Sequence, residues 1–224
     1  MDTVKTLAEA VNEFHKPQGS TKKGRRDDLQ KEFKEIAMSL FFGGYLKCGD
    51  KKIYVREAEL YYYDEDNCCN AIKDESMFHT SNPIDPSLEK LDPEDESTYL
   101  QGGILHRHKY GIDLAFENFK NKYRASVLIK SFIEADADKE PNYEVRNKKS
   151  SKELFKYIPK DIPAFEKNDL GVNWIPCHHP IEYHTISSPV TRMNIRKDTS
   201  EADTPWRYWL KWVKEKDVPH EFLF

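Results

Sequence analysis

No apolar run in the chain approaches the roughly 18 residues that a membrane-crossing helix needs, so no membrane partner is expected. The opening residues, MDTVKTLAEAVNEF, lack a charged stretch followed by an apolar one, and no signal peptide is expected. Cysteine is scarce and uneven: Cys48, Cys68, Cys69 and Cys177, two of them adjacent. That is no disulfide framework, and it suits a cytoplasmic location. The P-loop, the Rossmann glycine fingerprint, G-x-S-x-G and H-E-x-x-H are all missing, which removes the commonest NTPase, dehydrogenase and hydrolase classes. Internal repeats and coiled-coil heptads are also missing. So is an excess of basic charge, the usual mark of a nucleic-acid binder: the formal net charge is −4. What matters to a phosphate is local potential. Basic residues do cluster, at Lys22-Lys23-Gly24-Arg25-Arg26, at Lys120/Lys122/Arg124 and at Arg146/Lys148/Lys149/Lys152.

What is present is core material. Hydrophobic residues make up 38% of 224 and aromatics 12%, enough for one large domain without disulfide or metal staples. Val4, Leu7, Ala8, Val11 and Phe14 recur at helical spacing, and His15 to Arg26 reads as an exposed loop. A second helix, capped by Asp27 or Asp28, puts Leu29, Phe33, Ile36, Ala37 and Leu40 on one stripe and stops at Gly43-Gly44. Gly49-Asp50 marks a hairpin. Its second arm, about 52 to 62, sorts by alternation into Ile53, Val55, Glu57, Glu59 and Tyr61 on one face, and Tyr54, Arg56, Ala58, Leu60 and Tyr62 on the other. Two carboxylates on a largely apolar face need a partner, a wet cleft or a chemical role.

Residues 80 to 99 read as a polar insertion, rich in proline and acids. Strands are expected at Ile104–Tyr110, Ile112–Phe116 and Ala125–Ile133, with 134–149 a charged connection. Ser150 or Ser151 caps a short helix through Leu154, Phe155 and Tyr157. The span 159–190, with five prolines, reads as irregular, and TPWRYWLKWV alternates as a closing strand.

Three segments carry a resemblance. Glu57-Ala58-Glu59-Leu60-Tyr61, with Glu65-Asp66 beyond it, is similar to the E-x-E-x-Y strand of the alkyladenine (3-methyladenine) DNA glycosylase family. Gly102-Gly103-Ile104-Leu105, running to Tyr110-Gly111 and then to Val127-Leu128-Ile129-Lys130, resembles its Gly-x-Leu, Tyr-Gly and Val-Leu-Leu-Arg strands. Arg192-Met193-Asn194-Ile195 and Pro205-Trp206-Arg207-Tyr208 look like its Arg-x-x-Ile segment and Pro-Trp-Arg-aromatic strand.

The resemblance implies a single α+β domain over 1–224, with a curved mixed or antiparallel β-sheet flanked by helices. It also implies action on double-stranded DNA carrying a damaged purine, and the protein is expected to be a cytoplasmic monomer. Such an enzyme rotates the nucleotide out of the duplex and hydrolyses its N-glycosidic bond in base excision repair, with no metal or organic cofactor. Carried over by position, Glu59 is the general base, Tyr61 stacks on the flipped base, and Tyr110 intercalates. His79 takes over a pocket histidine's place, since Asn70 stands at that position. Arg124, Lys130 and Arg207 are the expected backbone contacts. Arg107 replaces a stacking tyrosine, Glu117 replaces a pocket asparagine (Asn118 is one residue out of register), and Ser150-Ser151-Lys152 stands where a Gly-Pro-Gly-Lys turn is expected.

The alternative, given these changes, is a glycosylase-like scaffold that binds nucleic acid or a protein without catalysis. An enzyme is expected to hold Glu59 at the floor of an aromatic cleft, with Tyr110 on a positive surface. A binder is expected to hold Glu59 in a salt bridge, its cleft filled, for instance by Arg107. His106 and His108, with Cys177, His178, His179 and His184, match no zinc pattern, and Cys68-Cys69 lack an activating setting.

Overall fold

The computed structural model describes residues 5–139, 141–142, 147–177, 184–192 and 201–212. Two helices pack on one face of a large antiparallel sheet: α1 (Leu7–Asn12) and α2 (Lys22–Phe42). Its strands are β1 (Gly44–Cys48), β2 (Lys51–Asp64), β3 (Ile104–His108), β4 (Gly111–Ala115), β5 (Tyr123–Asp136), β6 (Lys149–Ser150), β7 (Ile162–Pro163), β8 (Val172–Pro176), β9 (His184–Ile186) and β10 (Arg207–Trp212). The order is β7-β3-β4-β5-β2-β1-β8, with β10 joining β2 beyond the end of β1. The two ends nearly meet, since Trp174 N–H of β8 donates to Ala164 O just past β7 at 2.7 Å. The sheet is therefore a nearly closed wrap, and every pairing between its strands is antiparallel.

Helix α2 begins earlier than its sequence suggests. Thr21, not Asp27 or Asp28, is the cap: its Oγ1 accepts from Gly24 N–H at 3.0 Å. The basic run is consequently helical and turned to internal partners. Arg25 meets buried Asp64 at 2.7 Å, while Lys22 and Arg26 meet buried Glu201 at 3.0 and 2.8 Å. Of the two candidates Ser150 and Ser151, Ser150 is the cap of the short 3-10 helix Ser151–Lys156. The span 159–190 is not wholly irregular: among its described residues it supplies β7, β8 and β9, whose backbone groups find strand partners.

The decisive local feature is a bulge in β2. Pairing with β5 runs Val55↔Phe132, Glu57↔Ser131, Ala58↔Ile129, so Arg56 and Lys130 are left out of register. A bulge swaps the face of every later residue. Ile53 and Val55 therefore lie in the core with Ala58, Leu60 and Tyr62, while Glu57, Glu59 and Tyr61 face the other way. The expected face of Ile53, Val55, Glu57, Glu59 and Tyr61 is thus split in two. Without the bulge, either both carboxylates or both aliphatic residues would sit on the wrong side of the sheet.

Candidate active site on the polar face of the sheet

Beneath the helices the sheet is apolar: Leu60, Tyr62, Val127, Ile129, Leu114, Ile112 and Leu105 join Leu29, Phe33, Ile36 and Leu40 in one core. The opposite face is buried as well, but polar. Across it lie Glu57, Glu59 and Tyr61 of β2, Arg124, Ser126 and Leu128 of β5, Asp113 of β4, and His106 and His108 of β3. Burying so many polar groups is costly unless each is paired, and pairing is what is found.

Glu59 lies in the middle, with β5 on one side and β10 on the other, and is 0% exposed. Tyr61 Oη donates to its Oε2 at 2.9 Å, and Lys130 Nζ stands 3.2 Å from the same oxygen. Lys130 follows Leu128, the partner of Glu59, by two residues on β5 and so shares its face. Arg207 Nε lies 4.0 Å from Oε1, but its main partner is Glu57, which also takes Lys148. Burial raises the Glu57 carboxyl, and the Lys148 and Arg207 bonds outweigh it, leaving the pKa below its ordinary value.

Tyr61 is buried, and its phenol is raised well above the ordinary range by burial first and by the Glu59 charge second. Its ring packs with Tyr63, Met77 and Leu128, and the Arg192 guanidinium lies 4.7 Å from its centroid. Arg192 also contacts the Trp206 ring at 5.3 Å, and it donates to Asp74, Leu60 O and Glu201 O. Sequence patterning assigns Arg192 no role; only its place in the Arg-x-x-Ile segment singles it out.

Arg124 is not a surface contact, contrary to the sequence expectation. It is 0% exposed, donates to Glu65, to Glu117 (2.9 Å) and to Thr98 O and Oγ1 (2.6 and 2.8 Å), and covers the Tyr99 ring at 3.9 Å. As placed it cannot meet a phosphate. Glu117 is its buried counter-ion and also holds His79 Nδ1 at 2.6 Å, so His79 lies on the rim of the polar face. Asn70 is turned away, donating to Ser20 O. Arg107 does not fill the site either: it lies outside, over Phe155 at 4.5 Å, and donates to Pro159 O.

Tyr110, at the tip of the β3–β4 hairpin, is 45% exposed. Phe78 stacks on it at 4.6 Å and 18°. Next to the tip, Ile112 N–H donates to Ser151 Oγ at 3.0 Å, which seats the Ser150-Ser151-Lys152 turn beside Gly111. A Cβ on Gly111 would come within 2.5 Å of that oxygen.

The histidines of β3 are each held by a carboxylate. His106 Nδ1 faces Asp161 at 2.8 Å and His108 Nε2 faces Asp113 at 3.0 Å, while Asp113 also accepts from Ser126. Burial disfavours the charged His106 ring, but the Asp161 bond and charge, with Asp113 and Glu117 behind, outweigh it and raise its pKa. A raised folded-state value adds stability that is fully present below the unfolded value of about 6.5 and fades as pH rises through the folded one. Asp161→Asn is therefore expected to lower the His106 pKa in an NMR titration; an unchanged value would show that Asp161 does not set it.

The sole metal-like grouping among the described residues, Asp64, Asp66 and Cys68, already holds Lys16 and Arg25. Arg146, His178, His179 and Met193-Asn194-Ile195 lie outside the described residues. An open cavity of about 720 Å³, lined by Glu96, Tyr99, Leu100, Ile104 and Asp161 among others, lies at the β3–β7 end of the sheet and includes neither Glu59 nor Tyr61. No helix among the described residues is long and apolar enough to cross a membrane. No protein-family model matches the chain, and no curated protein matches it at a significant level.

Proposed function

We propose that this protein is a DNA glycosylase of the alkyladenine type, hydrolysing the N-glycosidic bond of a damaged purine flipped out of a duplex, with Glu59 as general base. The observation that carries the reading is Glu59 itself: a fully buried carboxylate at the centre of the polar face, on a rigid strand and bonded by the hydroxyl of Tyr61 two residues on. A strand fixes a reacting group more tightly than a loop. Tyr110, exposed at a hairpin tip and braced by Phe78, has the placement of a wedge.

In this chemistry the bond between C1′ and the purine nitrogen breaks, and its electron pair leaves with the base. Positive charge builds on the sugar, which a carboxylate stabilises. Glu59 takes a proton from the attacking water, whose oxygen bonds to C1′. Lys130 offsets the cost of keeping a carboxylate out of bulk water until substrate arrives. Water and substrate gain access when the Lys130 and Tyr61 contacts open; catalytic groups commonly tighten onto substrate only in the complex.

A specific observation favours a second reading, a non-hydrolysing nucleic-acid binder. Glu59 is ion-paired, and the Arg192 guanidinium covers the Tyr61 ring on which a base would stack. Duplex DNA with a cationic pyrrolidine in place of one deoxyribose, a mimic of the charged transition state, separates the two. The hydrolytic reading predicts binding at least about 10²-fold tighter than to undamaged duplex. Equal binding would leave the second reading.

A further inference from the structure

The hairpin tip that carries Tyr110 is not free. Asp85, from the acidic stretch 80–99, accepts from Lys109 Nζ and from Tyr110 Oη (3.2 Å). Lys109 Nζ also donates to Ser87 Oγ at 2.7 Å, and Asp85 holds Ser87 in turn through its N–H (3.0 Å) and hydroxyl (2.7 Å). Asp85 and Ser87 thus form a compact acceptor clamp on Lys109, the cation that precedes Tyr110 in the chain. Lys109 Nζ lies 5.0 Å from the Tyr110 ring centroid, and Phe78 stacks on the same ring.

The same stretch engages two more cations further along. Pro93 O and Glu94 Oε2 take Lys122 Nζ at 2.7 and 3.1 Å, and Thr98 takes Arg124. The composition of the stretch suits such pairing, since Asp85, Glu89, Asp92, Glu94, Asp95 and Glu96 stand against Lys90 alone. A segment with this excess of negative charge, lying on lysines beside an exposed tyrosine, presents to the hairpin the chemistry that a nucleic-acid backbone would present.

We infer that stretch 80–99 is a built-in competitor for the polyanion, with the Asp85 carboxylate taking the place of a backbone phosphate at Lys109 and Tyr110. The inference rests on the reading of Tyr110 as the residue that enters the duplex. For Tyr110 to do so its hydroxyl must leave Asp85, and Lys109 must exchange a carboxylate for a phosphate. Left in place, Asp85 would face that phosphate with like charge. The tip therefore docks only on a partner that displaces the clamp, which raises the threshold for casual binding to undamaged DNA.

The test compares wild type, Asp85→Asn and Glu89→Gln in fluorescence anisotropy with a short duplex, undamaged or carrying one alkylated purine, at fixed salt. Glu89 is an exposed acid of the same stretch with no hydrogen bond or ion pair among the described residues, so its variant controls for the change in net charge. Asp85→Asn is expected to bind about three- to tenfold more tightly than wild type, the range of one surface charge contact, and Glu89→Gln less than twofold. A thermal melt confirms that each variant is folded. Should Asp85→Asn bind no better than Glu89→Gln while wild type binds duplex, the clamp is overturned and the glycosylase reading stands. Should none of the three bind duplex at low salt, Tyr110 is no wedge, and both fall together.

Discussion

Glu59→Gln is expected to cut base release by about 10²- to 10⁴-fold, the usual worth of a positioned general base, while leaving the protein folded and able to bind duplex. Glutamine keeps the shape of the side chain, and its amide oxygen still accepts from Tyr61 Oη, now at 2.9 Å from the carboxylate. Lys130 loses its ionic partner, but its side chain is partly exposed and can turn to solvent. Glu57→Gln is the internal comparison. Its carboxylate is clamped by two close cations, Lys148 and Arg207, both of which would have to leave before it could take a proton from water, and that variant is expected to keep most of the activity. Release that survived Glu59→Gln and vanished in Glu57→Gln would move the general base one step along the strand.

The greatest loss of stability is expected in the Arg124 network. Arg124, Glu65 and Glu117 all have 0% exposed side chains, so removing the arginine strands two carboxylates out of water. Breaking a buried pair in this way typically costs about 3–5 kcal/mol, and Arg124→Met should lose that much in urea unfolding. Adding Glu65→Gln and Glu117→Gln to that variant removes the stranded charges and should recover a large part of the loss, a non-additivity expected of one shared network. A loss below about 1 kcal/mol would mean that the cluster relaxes into water. Arg124 would then regain a claim to the surface.

This network also marks where sequence patterning stops being informative. The hairpin at Gly49-Asp50, the stop at Gly43-Gly44, the Ser150 cap and the closing strand Arg207–Trp212 were legible because turn residues and alternation are local signals. The bulge at Arg56 was not. A bulge is set by pairing with β5, so alternation alone put Ile53 and Val55 on the same face as Glu59. Yet the tension of two carboxylates among aliphatic residues was visible, and the bulge resolves it. Arg124 read as a surface cation because its partners Glu65, Thr98 and Glu117 stand 59, 26 and 7 positions before it, beyond any local pattern. The basic run at Lys22–Arg26, which reads as part of an exposed loop, is helical, and the partners of Lys22, Arg25 and Arg26, Asp64 and Glu201, are distant in sequence. Asp113, a carboxylate between Ile112 and Leu114, did carry a signal, since an acid in an apolar strand implies a buried partner, here His108. Of the expected pocket, Glu59 and Tyr61 are brought together and His79 lies at the rim, while Lys130 and Arg207, expected at the DNA backbone, instead pair with Glu59 and Glu57, and Tyr110 stands apart at the tip.

The decisive measurement is chromatography of the free base after incubating wild-type protein with duplexes that each carry one alkylated, etheno or deaminated purine. A released purine and an equal amount of abasic strand are expected from at least one duplex, with no metal or cofactor added. Intact duplex throughout, from folded protein that binds it, would contradict hydrolysis and leave a binding protein whose buried Glu59 serves the structure.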